Sequence, residues 1–398
     1  MWRLGLALSL LLSVSACSSC KDERTPAASE AGAPAASARP RTTSGDLALG
    51  NLNAEIDAML ASNLARDRLR ASHALLSRAH YLGKIADLEL AHEVAFETKD
   101  GDPGETHYAR ATSESALHRF ESALKELDAA KAANAQATLV LATRASILLA
   151  LGKYDEALAL QLPNADARDP TTTASAAILA CKMQKTAECE RLFDAARAHF
   201  RDVSPFPLAW MDFQRGSLLE LAGEDAKARR WFEEATEVLP RYAHAALHLA
   251  AAEAPAQAIA RLTKIRETSD DPEVLVVLAA AQRRAGNEGE ATALVERAKQ
   301  RYAEILAKYP EAFADHAARF YLNAGDDPAR ALELAKLNAK NRVTEESLDL
   351  WMAAAAGAKD TAEACLAVRA MAAFKYLSPR GKALVSGMTS GAHAKCPG

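Results

Sequence analysis

Apolar residues occupy the chain in two different patterns. Residues 4–16 form a 13-residue run that is almost wholly apolar, with Arg3 just before it. A membrane-spanning helix needs roughly 20 such residues, so this run reads as the core of an export signal. From about Asp46 onward, apolar residues recur at steps of three and four, which predicts amphipathic helices nearly to the C-terminus. No stretch keeps a period of two for long, and no Asn-Gly hairpin signal appears. Short glycine-centred breaks punctuate the helices: Leu151-Gly152-Lys153, Ala222-Gly223-Glu224, Ala285-Gly286-Asn287 and Ala324-Gly325-Asp326. A glycine after a helix supplies the left-handed residue that stops it, so these breaks predict helix pairs joined by tight turns.

The pairs repeat. Small residues early in each predicted second helix fall at Ala123, Ala157, Cys189, Ala228, Ala258, Ala291, Ala331 and Ala362, with a mean spacing close to 34 residues. Twelve residues earlier, or thirteen in the seventh unit, stand Ala111, Ala145, Ala177, Gly216, Ala246, Ala279, Ala318 and Leu350. All but Leu350 are small, as expected where two antiparallel helices must approach closely. A period near 34 with helix–turn–helix units resembles the tetratricopeptide repeat (TPR) family. The unit from Trp210 carries the resemblance best, with Gly216, Gly223, Ala228, Phe232, Ala235 and Pro240 at the family's positions. Residues 151–158 (Leu-Gly-Lys-Tyr-Asp-Glu-Ala-Leu) repeat the family's turn and second-helix start.

The resemblance implies an all-α, right-handed superhelical solenoid of antiparallel helix pairs, about eight to nine repeats long. It also departs from the family: Asn164, Ile265, Asn338 and Arg369 stand where alanine is preferred. Pro255 falls at a turn, and the second helices of units three and six are expected to extend to near Val203 and Pro310. Ser204, Pro205, Phe206 and Pro207 read as a rigid non-helical connector, because proline removes a backbone donor and fixes φ.

Composition sharpens the picture at the N-terminus. Of the 19 residues 26–44, 16 are Ala, Ser, Pro, Thr or Gly, too little apolar area to offset the entropy of ordering. That segment is expected to be a flexible tether. The signal run ends in Val14-Ser15-Ala16-Cys17, which resembles the bacterial lipobox. The resemblance implies diacylglyceryl transfer to Cys17, cleavage before it and further acylation, with Ser18 pointing to the outer membrane of a Gram-negative cell. The expected organisation is therefore a signal at 1–16, the lipidated cysteine and linker at 17–48, and a helical region with a degenerate repeat at 49–104. The repeat array follows at 105–377 and a tail at 378–398. The net charge of −4 gives no electrostatic argument for nucleic-acid binding.

Candidate chemistry is sparse. His244 and His248 share a helix face, but their neighbours are apolar and no third ligand is evident, so no metal is expected. No His-Glu-x-x-His, Gly-x-Ser-x-Gly, Walker or Gly-x-Gly-x-x-Gly motif occurs, and neither a catalytic residue nor a cofactor is expected. Export implies an oxidising compartment, so Cys181 with Cys189, and Cys365 with Cys396, are candidate bridges; ordinary small core residues and a free tail thiol are the alternative.

The expected function is a non-enzymatic envelope scaffold binding a protein or peptide. An accessory lipoprotein of outer-membrane, pilus or secretion assembly is the alternative, and an enzyme with a site between repeats a remoter one. In the family, first helices line a concave groove. Carried onto this chain, the inward positions give Trp210, Phe213, Arg283, Asp315, Arg319 and Trp351 as partner-binding candidates. Aromatic and arginine side chains are frequent binding anchors. Large aromatics at helical spacing also serve as packing, and both readings of Trp210, Phe213 and Trp351 stay open at the level of sequence.

Overall fold

A computed structural model describes residues 40–161, 169–389 and 396. Among these, 20 helices and no strands form an all-α solenoid. Nine antiparallel pairs follow one another: α2 (Ala65–Leu82) with α3 (Ile85–Glu97), α4 (Pro103–Ala116) with α5 (Phe120–Ala132), and α6 (Ala137–Ala150) with α7 (Tyr154–Gln161). Next come α8 (Pro170–Lys182) with α9 (Thr186–His199), α10 (Pro205–Leu221) with α11 (Asp225–Val238), and α12 (Ala243–Ala252) with α13 (Pro255–Ile265). The last three are α14 (Pro272–Arg284) with α15 (Glu288–Lys308), α16 (Pro310–Leu322) with α17 (Pro328–Asn341), and α18 (Glu345–Gly357) with α19 (Thr361–Ala372). Single helices, α1 (Gly45–Ala61) and α20 (Pro379–Thr389), flank the array.

The small-residue columns lie at the helix crossings. Ala123, Ala157, Cys189, Ala228, Ala258, Ala291 and Ala331 are each at most 1% exposed. A Cβ on Gly216 would come within 3.2 Å of the Ala228 carbonyl and 2.7 Å of the Phe232 ring, so this crossing leaves no room for a side chain. The eighth unit departs from the expected register. Ala362 is exposed, and Ala364, two residues on, is buried. On the first helix Leu350 is 5% exposed and belongs to the core, whereas Trp351 beside it is only partly buried.

Proline plays a different part from the one expected. Pro205 and Pro207 lie in the first turn of α10, and Pro255 opens α13. The first turn has no intrahelical partner for its N–H groups, so proline costs nothing there. The second helix of unit three stops at His199, short of Val203, whereas α15 does run 21 residues, to Lys308. Eight of the nine pairs turn on a left-handed residue, but only four of those are glycine; His118, Gln184, Asp326 and Lys359 serve the others. In the seventh unit the left-handed residue is therefore Asp326, not Gly325.

Both ends are anchored. α1 begins at Gly45, earlier than the expected boundary at 49, and is capped by Ser44. A Cβ on Gly45 would meet Pro240 and the Val238 carbonyl at 2.8 Å, so this helix rests on the turn after α11. Of the expected tail, residues 379–389 form α20, and just before it Ser378 donates its N–H to Glu345 Oε2 at 2.8 Å. Cys365 and Cys396 are bridged (Cα–Cα 5.2 Å), as are Cys181 and Cys189 across the α8–α9 turn (5.1 Å).

The array also curls onto itself. Near the N-terminus, Ser269 Oγ donates to the Gly83 carbonyl (2.7 Å), and Tyr81 OH to the Phe206 carbonyl (3.0 Å). Asn341 Nδ2 donates to the His118 carbonyl (2.9 Å), and Lys308 pairs with Glu89 (3.1 Å). Farther along, Lys375 pairs with Asp155 (2.8 Å), Lys182 with Glu346, and Gly152 sits against the backbone of Val343. Early pairs thus close over late ones, and the concave face becomes an interior.

Candidate functional site

Two larger cavities lie along the former groove, with a small one of about 50 Å³ between them that shares Arg342 with one and Arg319 with the other. One of the larger two, of about 540 Å³, is a mouth among α10, α11, α12, α16, α18 and α20, lined by Arg229, Arg319 and Arg380 and by Glu220, Asp225, Glu346 and Asp349, with Leu322 and Leu350. The other, of about 430 Å³, lies along the axis where α2, α4, α6, α8, α10, α12 and α16 converge. Its walls include Leu76, Leu149, Ile178, Trp210 and Phe313, and four histidines enter it: His80, His118, His244 and His316.

A partition of buried charge separates the two. Arg342, 4% exposed, donates from Nη2 to Asp315 Oδ2 (2.6 Å) and from Nε to Asn338 Oδ1 (2.8 Å). Arg319 Nη1 and His316 Nε2 each approach Asp315 at 3.8 Å. His316 Nδ1 is 3.0 Å from Glu273 Oε2, and His248 Nδ1 is 2.8 Å from Glu220 Oε2. Burial would raise the Asp315 carboxyl, but the facing His316, Arg342 and Arg319 charges outweigh it and hold the group well below the usual carboxylate range. His316 answers in kind: burial lowers it, and Asp315 and Glu273 more than reverse that. Asp271, which caps α14, is pushed up to about 7 by burial and then by Glu273.

The other cavity histidines are uncharged at neutral pH. Burial pushes His80 down to about 4 and carries His244 well below its ordinary value. His118 is brought to about 3 by burial and then by the Arg342 charge. The Nδ1–H of His118 donates to the Glu311 carbonyl at 3.3 Å. These shifts have a consequence for stability. The unfolded chain protonates His118 near pH 6.5 while the folded chain resists until about pH 3. The contribution is therefore whole above pH 6.5 and is lost as pH falls through that window, at about 1.4 kcal/mol per pH unit for one proton. His118→Asn keeps a residue suited to the φ of 56° at this turn. It is expected to flatten the stability–pH curve between pH 6 and 4 by one proton's slope. Urea melts at stepped pH measure it, and an unchanged slope would show that His118 is protonated in the folded chain.

The sequence-derived residues scatter over this arrangement. Trp210 lines the axial cavity and Arg319 the mouth. Phe213 does not face a groove: it is 1% exposed and packs against Phe232 and Tyr242. Asp315, 2% exposed, belongs to the partition rather than to an accessible surface. Trp351 packs across its own hairpin, its Nε1 donating to Glu363 Oε2 of α19 at 3.0 Å. Arg283 is exposed but pairs with Glu288 at the α14–α15 turn (3.0 Å). Cys17 lies outside the described residues. Among the described residues no three His, Cys, Asp or Glu side chains are placed to hold a metal ion.

No family model matches the chain, and no curated protein does. Solved structures similar to it include a tetratricopeptide repeat protein from Parabacteroides merdae, 16% identical, covering 67% of this chain and 98% of that one, with a TM-score of 0.37. The human IFIT1 dimer with PPP-AAAA is 16% identical over 86% of this chain and 85% of that one, with a TM-score of 0.43. A monomeric IFIT1 mutant with Gppp-AAAA is 15% identical with the same coverage and a TM-score of 0.44.

Proposed function

We propose that this protein is a non-enzymatic lipoprotein of the bacterial envelope, a helical-repeat scaffold that binds a protein or peptide partner at the mouth of its concave face. The observation that carries the reading is the mouth itself. It is an accessible part of the groove, and it combines three arginines and four carboxylates with apolar side chains. Such a mixture suits a short peptide segment of both charges, since opposed charges fix register and apolar contacts supply affinity. Anchoring through Cys17 fits the lack of any helix long and apolar enough to cross a membrane among the described residues. A role as an accessory to envelope assembly is one form this scaffold takes.

The test uses the lipidated protein in its own membranes. Crosslinking from wild type is expected to yield a discrete partner, reduced at least tenfold when Arg380→Glu and Asp349→Lys reverse two charges of the mouth. Cys17→Ser is expected to release the protein from the membrane fraction and to abolish labelling by palmitate. Undiminished capture by the charge-reversed protein would overturn the mouth as the docking site. Continued palmitate labelling of the serine variant would overturn the anchor.

A further inference from the structure

We infer that the axial cavity is a second, independent binding site, built for a small amphipathic organic anion: an aromatic or aliphatic carboxylate. Size comes first. At about 430 Å³ the cavity falls within the usual range for small-molecule sites. The walls then set the body of the ligand. Leu76, Leu149 and Ile178 present an apolar surface, and Trp210 and Phe313 add aromatic faces that stack on a flat group.

Charge selects the other end. Arg342 lines the cavity at its boundary with the partition. Its Nε and Nη2 are engaged by Asn338 and Asp315, which fixes the guanidinium, while Nη1 has no partner among the described residues. A planar fork already held by two bonds offers its remaining nitrogen to a carboxylate oxygen at little cost in side-chain entropy. His316, facing Glu273 at 3.0 Å, and Lys84 at the rim, 3.8 Å from Asp87, complete the polar part of the lining. Against these the lining holds one carboxyl, Asp271, whose burial leaves it only partly ionised at neutral pH. His80, His118 and His244 contribute hydrogen-bonding nitrogens without net charge. A cationic ligand of the same shape would meet the Arg342 guanidinium without pairing with it.

This site stands apart from the mouth proposed for the partner, with the Asp315–Arg342 partition between them. Either assignment can fail alone. The experiment titrates purified protein with 2-naphthoate and, separately, with 2-naphthylmethylammonium, following heat by calorimetry and tryptophan emission. Naphthoate is expected to bind one per chain, to quench tryptophan emission, and to bind at least tenfold more tightly than the ammonium probe. Ser146→Trp, which fills the cavity from α6, is expected to weaken naphthoate at least tenfold with an unchanged melting curve. Trp210→Leu should abolish the quench. Absence of saturable binding, equal affinity for both probes, or naphthoate binding untouched by Ser146→Trp would each overturn the proposal. The last outcome would mark adventitious adsorption at the surface. Should Ser146→Trp fail to fold, the two-probe comparison on wild type still decides.

Discussion

Arg342→Leu is expected to destabilise the protein by about 3–5 kcal/mol, although the substitution adds apolar surface to a buried position. The reason is what it leaves behind. Asp315 is 2% exposed, and its closest cationic contact is Arg342 Nη2 at 2.6 Å; Arg319 and His316 stand at 3.8 Å. Without the guanidinium, a buried carboxylate keeps only those two longer contacts, and Asn338 loses the donor to its Oδ1. Removing one member of a buried pair costs far more than removing both, because the surviving charge retains its desolvation penalty. The double variant Asp315→Leu/Arg342→Leu should therefore recover most of the loss. Urea melts of the four proteins complete the cycle. A single variant within about 1 kcal/mol of wild type would show that the partition is hydrated and adds little.

That partition also shows where the sequence is readable and where it is not. Local features were legible: helix pairing, the period near 34, and the crossings marked by Ala123 to Ala331 all follow from steric rules acting over a dozen residues. The eighth unit misled because alanine is frequent there, so smallness alone did not distinguish Ala362 from Ala364. Pro205 and Pro207 point to a non-helical connector by residue type, but position decides whether a proline breaks or begins a helix, and here they begin α10.

Closure was not legible at all. Its contacts join residues far apart, such as Gly83 to Ser269 or Asp155 to Lys375, and no periodic pattern encodes them. That is why projecting an open groove found Trp210 and Arg319 on accessible walls yet also named Asp315, which is sealed inside. One signal was present. Asn338 stood out as a polar residue where a repeat of this kind prefers alanine, and it proves to be the acceptor that orients Arg342. A polar departure on a packed face needs a partner, and that partner belonged to the centre of the molecule.

Gly152→Ala is expected to open the seam between the early and late repeats, at a cost of about 3 kcal/mol or more. Two effects add. The residue holds φ at +82°, which a side chain tolerates poorly. Its added Cβ would also fall 1.8 Å from the Val343 carbonyl oxygen, a contact that only backbone movement relieves. Val343 lies in the short link from α17 to α18, and the same seam carries the Lys375–Asp155 and Lys182–Glu346 pairs. Displacing it should loosen all of them together. Gly223→Ala separates the two effects, since Gly223 has the same φ of +82° with open space around it. It should show only the conformational cost, about 1–2 kcal/mol. Small-angle scattering should then report a larger radius of gyration for Gly152→Ala and none for Gly223→Ala. Matching profiles and matching melts for the two variants would mean that the array does not close at this seam in solution, and that the concave face stands open to a longer partner than the mouth admits.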